Sequence, residues 1–279
     1  MFNFKTFAAT FGVVTVLSAH ATLAAGFAIS LNYVNVFSAS QTDVINAAAA
    51  YWESAIVDYK PGVSLNGITI NVESVTSDGS GGGLAAAGVT GTALRKGTRY
   101  ATTGVLLFDE ADLGTLESRG KLIDVAVHEI AHALGFGTLW QTNGLYDPST
   151  GVTGTATSGH YTGAAALAAY QSEYAPAATF VPVEKNFGPG SADAHWDETW
   201  AGGAAALMTG RLAIGSTAPP SYITRTTIAS FDDLGYQVAL NRATLTPNIP
   251  IGAVPLPPAA VLLFASVAML GAVRWRKAA

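Results

Sequence analysis

The sequence predicts an α+β domain with one core, a strongly apolar central helix and a loop-rich C-terminal half, framed by two short non-globular ends. Three observations carry this. Period-two apolar patterns at 27–36 and 68–72, and a short buried strand at 103–108, stand beside helical spacings around Ile45, Val125 and Ile228. The 279 residues suffice for one sizeable core plus end segments, with no internal repeat. Charged residues make up only 12 % of the chain, and there is no cysteine. Disulfides, thiolate metal sites and a cysteine nucleophile are therefore excluded, and any metal must be held by histidine and carboxylate.

Residues 1–25 carry Lys5, an apolar run from Phe7 to Leu17 and then Ala19-His20-Ala21. This is a signal-peptide pattern, with cleavage after Ala21 or Ala25. The domain is read as residues 26–245. Its first strand places Ile29, Leu31 and Tyr33 on one face. Ser40 with Asp43 opens a helix in the manner of a capping box. Ile45, Ala48, Ala49, Trp52 and Ile56 follow at helical spacing, with Trp52 in the core, and Lys60-Pro61-Gly62 stops the helix. Residues 63–65 and 68–72 flank Asn66-Gly67 as a tight hairpin. The glycine-rich stretch 77–83 lacks the lysine and helix of a phosphate loop and reads as a connector. After the strand 103–108, Asp109-Glu110-Ala111-Asp112 reads as a solvated acidic turn, with calcium binding as the alternative.

The next helix carries the most informative stretch, His128-Glu129-Ile130-Ala131-His132. Histidines four apart on a helix point to one side, so both rings can reach one zinc ion. Glu129 sits where a carboxylate could take a proton from a metal-bound water, the arrangement for metal-assisted hydrolysis of a peptide bond. Leu122, Ile123, Val125, Ala126, Val127, Ile130, Ala131, Ala133 and Leu134 surround these residues. The helix is thus largely buried, and burying two histidines and a glutamate is costly unless they are paired or bound to a metal. Gly135 ends the helix. Residues 138–194 are loop-rich, with one helix near 164–170. His195-Trp196, then Leu207-Met208-Thr209-Gly210, precede a last helix at 226–234 that closes at Gly235-Tyr236.

A catalytic zinc takes three protein ligands and one open position. A third histidine six residues beyond His132 would make a compact motif, but that position is Thr138. The third ligand therefore comes from a distant segment: His160, His195 or a carboxylate such as Glu198. Met208 could be ordinary core packing.

His128-Glu129-x-x-His132-x-x-Gly135-Phe136 resembles the zinc helix of leishmanolysin-like metalloproteases of the metzincin group. In that family an insertion separates the glycine from the third histidine. The resemblance implies that His195 is that ligand, followed by a methionine turn that holds Met208, and that residues 228–236 are the helix that follows. It further implies a twisted mixed sheet, a cleft holding one catalytic zinc, a protein or peptide substrate, and residues 103–108 as an edge strand that pairs with it. The chain departs from the eukaryotic members in having no cysteine, which rules out both their disulfides and their cysteine-based latency. It looks like a compact bacterial relative.

Residues 246–258 form a proline-rich linker. Residues 259–279 then comprise an uncharged run to Val273, marginal for crossing a bilayer, and the basic end Arg274-Trp275-Arg276-Lys277. With Val254-Pro255-Leu256-Pro257, this tail resembles the PEP-CTERM class of bacterial sorting signals. That implies export, transient membrane retention through the C-terminal segment and cleavage by an exosortase-type enzyme, leaving the protein in the envelope or outside the cell. Removing both ends takes away Lys5, Arg274, Arg276 and Lys277, so Lys+Arg falls from 14 to 10 against 19 Asp+Glu and the net charge goes from −5 to −9. Such a domain is a poor nucleic-acid binder. The expected function is that of an exported zinc endopeptidase. The alternative is a non-catalytic surface or matrix binding protein built on a degenerate protease domain, which would have no need of Glu129.

Overall fold

The computed structural model describes residues 26–154, 157–188, 190–212 and 221–243. The expected signal segment and C-terminal sorting tail lie outside these residues. Among the described residues no helix is long and apolar enough to cross a membrane.

The first strand, β1 (Ile29–Tyr33), leads into helix α1 (Ala39–Ala55). The helix starts earlier than expected. Ser38, not Ser40, is the N-cap, and Gln41 completes a capping box, its amide oxygen accepting from the Ser38 N–H at 3.0 Å. It also ends earlier, at Ala55, because Ile56 turns into strand β2 (Ile56–Tyr59). The expected hairpin at Asn66-Gly67 is not formed. Strand β3 (Ile68–Val75) instead pairs in parallel with β1. Gly67 has φ +92°, and a Cβ there would lie 2.0 Å from the Ala28 carbonyl oxygen. The glycine serves a close approach to β1 rather than a hairpin turn.

Two long strands follow, β4 (Ala85–Arg95) and β5 (Thr98–Asp109). They form the principal hairpin, turning at Lys96 and Gly97, both with positive φ (50° and 82°), as a two-residue primed turn requires. Strand β4 escaped the sequence reading because its Ala, Gly and Thr residues carry little hydrophobic alternation. The sheet order is β1-β3-β5-β4, parallel except for β4. The strand around 103–108 is therefore interior, with β3 on one side and β4 on the other. The expectation that it is the edge strand is corrected: that edge belongs to β4.

The acidic stretch at Asp109 is not a solvated turn. Asp109 is the N-cap of α2 (Glu110–Ser118) and is buried along with Asp112. Their carboxylates accept from the glycine-rich stretch, Asp109 from Gly79 N–H at 3.0 Å and Asp112 from Gly81 N–H at 2.9 Å, so the connector is pinned to the helix start.

Helix α3 (Leu122–Leu134) packs against β4 and β5 of the sheet. Gly104 of β5 lets it come close: a Cβ there would stand 3.0 Å from the Ala133 Cβ. On its other side the buried Trp52 of α1 donates from Nε1 to the Val127 carbonyl at 2.8 Å. The C-terminal half contains a small sheet, β6 (Tyr146–Asp147), β7 (Gly159–Tyr161) and β8 (Val181–Val183), where only loop was expected. It also holds the antiparallel-capped pair α4 (Ala164–Glu173) and α5 (Arg225–Asp233), and β9 (Tyr236–Val238), which pairs with β2. An aromatic layer joins the two halves. Trp196 stacks on Trp140 at 4.9 Å and on Trp200 at 5.6 Å, and Phe136 meets its edge at 5.1 Å.

Candidate metal centre

Helix α3 is buried along nearly its whole length, so His128, Glu129 and His132 are carried into the interior with 5–8 % of their surface exposed. It ends where Gly135 adopts φ 118°. Phe136 N–H bonds back to Ala131 O at 3.0 Å and Gly135 N–H to His132 O at 3.1 Å, a Schellman closure that only a residue tolerant of the left-handed region allows cheaply. This reversal aims the Phe136 carbonyl at the His132 ring, and His132 Nδ1 donates to it at 2.9 Å. Thr138, which stands where a compact motif would place its third histidine, caps the helix by donating to His132 O at 2.7 Å.

The third histidine comes from a different segment. His195 is buried, and its Nε2 lies 3.0 Å from both His128 Nε2 and His132 Nε2, which are 3.1 Å apart. Three contacts bring it there. The turn after α3 packs Gly137 against Ala194, where a Cβ would meet the Ala194 carbonyl oxygen at 2.4 Å. Trp196 is locked in the aromatic layer and donates from Nε1 to Thr227 Oγ1 of α5 at 2.9 Å. The Trp196 N–H also bonds to Met208 O at 2.9 Å, so the segment at Leu207-Met208-Thr209 runs beside His195. Met208 is fully buried there.

The tautomers follow from the partners. His128 Nδ1 donates to Leu207 O at 2.6 Å, His132 Nδ1 to Phe136 O, and His195 Nδ1 to Ser191 O at 2.8 Å. A carbonyl can only accept, so each Nδ1 carries the ring proton and each Nε2 presents a lone pair. Three lone pairs about 3 Å apart cannot hydrogen-bond to one another and repel unless a cation lies among them. The donor set is neutral imidazole nitrogen, which suits zinc, and each ring is oriented by a second hydrogen bond, as in metal sites generally. The residues present therefore fit a zinc ion.

Electrostatics point the same way. Burial pulls His128 down to about 4 against a weaker opposing bond to Leu207, and pulls His195 down to about 3, helped by His128 and opposed by Ser191. His132 lies well below the usual histidine range, through burial and then its two neighbours. All three are neutral near pH 7. Burial pushes the Glu129 carboxyl up to about 8. No group among the described residues hydrogen-bonds that carboxyl.

Among the described residues, the group of histidines and carboxylates placed to hold a metal is His128, His132 and His195. His160 is not in it: its ring stacks on Phe180 at 3.7 Å on β7. Glu198 is also outside. It packs near Glu184, and burial pushes its carboxyl up to about 7. The sequence reading missed the three carbonyl acceptors, which no side-chain pattern reveals, and missed Gly137, for which the Gly-Phe-Gly run after the helix was a usable sign.

Comparison with known families agrees with this geometry. No curated protein matches the chain. A family model described as leishmanolysin matches residues 57–247, which takes in α3, His195 and Met208 and covers well over half of the sequence. By that match the chain belongs to the leishmanolysin family, a family of zinc-dependent metallopeptidases.

Proposed function

We propose that the protein is an exported zinc endopeptidase in which His128, His132 and His195 hold one catalytic ion and Glu129 is the general base. The observation that carries this is the convergence of three proton-free Nε2 atoms, two of them on the helix that also carries the buried Glu129 carboxyl, which has no hydrogen-bond partner among the described residues. Zinc, when bound, supplies Lewis acidity toward the scissile carbonyl and the attacking water. The chain's own residues do the rest. The Leu207, Phe136 and Ser191 carbonyls hold the rings in the ligating tautomer. Glu129 accepts the proton of the attacking water and delivers it to the leaving amine, and its poorly solvated site, which raises its affinity for a proton, suits that exchange.

Strand β4 supplies the docking edge for an extended substrate, since among the described residues one of its sides is unpaired in the sheet. It passes close to the end of the helix, with a Cβ on Gly88 falling 3.9 Å from the Thr138 methyl. Export rests on the sequence patterns at 1–25 and 246–279, with the prolines as the exosortase-type processing site and the apolar run as a transient membrane hold.

The test is metal analysis of the purified protein with digestion of a broad peptide library. One zinc per chain and zinc-dependent cleavage are expected. His195→Ala abolishes zinc occupancy and His160→Ala leaves it intact. Zinc bound without any peptidase activity would favour the binding-protein reading.

A further inference from the structure

Lys185 is a buried lysine, and lysine is rarely buried without a partner. Its ammonium meets three acceptors: Asp193 Oδ1 at 2.8 Å, Pro148 O at 3.0 Å and Tyr146 Oη at 3.4 Å. Three N–H donors and three acceptors make the group fully satisfied. The Tyr146 hydroxyl in turn donates to the same Asp193 oxygen. These residues come from three segments: β6 and the turn after it, the chain just after β8, and the residue two before His195.

Asp193 is unusual in its backbone as well. Its φ is +68°, in the left-handed region that non-glycine residues seldom occupy. Its N–H bonds to Glu184 O at 2.8 Å, and the Glu184 N–H bonds to His195 O at 2.9 Å. The loop between Glu184 and His195 is thus closed at its neck by two backbone bonds and fastened across by Lys185. Ser191, within the loop, provides the carbonyl that orients the His195 ring.

We propose that Lys185, Asp193 and Tyr146 form a clamp that positions His195 as the third zinc ligand. This rests on the zinc reading above, and its parts are positioning residues that act through the histidine. Without the clamp, the left-handed turn at residue 193 is held only by the backbone bonds at the neck of the loop. His128 and His132 sit on one buried helix, whereas the ring of His195 is oriented by a carbonyl of this loop. The clamp therefore controls zinc affinity more than fold.

The experiment compares zinc affinity, measured by chelator competition on the metal-free full chain, with the visible absorption of the cobalt(II)-loaded protein and with thermal stability. Asp193→Gly removes the carboxylate but suits φ +68°, so the backbone is not penalised. Asp193→Asn keeps an acceptor oxygen and tolerates the left-handed region. Asp193→Gly is expected to weaken zinc binding about tenfold or more, the size seen for outer partners of metal ligands, and to alter the cobalt spectrum. Asp193→Asn is expected to restore most of the affinity, and Lys185→Met to behave like Asp193→Gly where it folds. A zinc-binding parent with wild-type affinity and cobalt spectrum in Asp193→Gly overturns the clamp alone. A parent that binds no zinc overturns the zinc reading and the clamp together.

Discussion

Gly137 and Ala194 lie backbone against backbone, so that a side chain on the glycine would come within 2.4 Å of the Ala194 carbonyl oxygen and 2.8 Å of its Cα. The turn that ends the helix of His128 and His132 and the segment that carries His195 are thereby one packed unit. The two halves of the site meet because one residue between them has no Cβ.

Gly137→Ala tests this. The residue has φ +71°, which costs an L-residue about 1–2 kcal/mol before any clash. The obstructing atoms are backbone and cannot rotate away, so the His195 segment must move. The expected result is a folded protein with a lower melting temperature and weaker zinc binding. Melting temperature lowered with zinc affinity untouched would show that the contact is only structural.

A second relationship lies away from the site. Glu173, the last residue of α4, accepts from Arg225 N–H at 2.9 Å and Thr226 N–H at 2.8 Å at the start of α5. Asp233, the last residue of α5, accepts from Ala165 N–H at 2.8 Å and Ala166 N–H at 2.9 Å at the start of α4, whose N-cap Gly163 makes no side-chain cap. Each helix is capped by the other's end. Replacing Glu173 by Ala should cost about 1–2 kcal/mol, a melting shift of about 3–6 °C, with zinc occupancy unchanged. Calorimetry with metal analysis checks both; a loss of zinc would mean the pair reaches the site.

The helix of the site was legible in the sequence because its chemistry lies at one helical spacing and its ending depends on one residue type, Gly135. Helix α5 was legible for the same reason. Strand β4 was not, because a strand of Ala, Gly and Thr shows no alternation; its sign was the Lys96-Gly97 turn. His195 was singled out through a family resemblance and the methionine after it, since nothing local marks a residue that joins the histidine group from 63 residues beyond His132. The Lys185 clamp was invisible, because its three segments meet only in space.

The pH dependence of the metal-free protein follows from the same burial. His128 and His195 fall from 6.5 to about 4 and about 3, and His132 lies well below its usual range, so between those values and 6.5 the unfolded chain binds more protons. Stability from these groups is complete above pH 6.5 and is lost as pH falls toward 4. Glu129 acts with opposite sign: raised from 4.5 to about 8, it stabilises fully below 4.5, and this is lost as pH rises through 8. Glu198, raised to about 7 and only half-buried, adds a weaker loss of the same sign at lower pH. Metal-free protein should therefore melt highest near pH 6.5, and Glu129→Gln should flatten the decline between pH 7 and 8. A melting profile that rises through that interval in the wild type would contradict the burial argument.

Glu129→Gln also decides the chemistry. The amide keeps the shape of the side chain and one acceptor, but it cannot take a proton near neutral pH. Glu129 is not among the atoms that converge with the three imidazoles, so the ligand set is untouched. Zinc content and the cobalt(II) spectrum should match the parent. Removing a general base lowers a rate by about 10²- to 10⁴-fold, and in the proposed reaction the same group also protonates the leaving amine. Peptidase activity should thus fall by at least about two orders of magnitude in a folded, zinc-loaded protein, with the loss in kcat rather than KM because the carboxyl acts on the water and the leaving group. Cleavage at the parent rate by this variant would remove Glu129 from the mechanism and leave the metal site without its base.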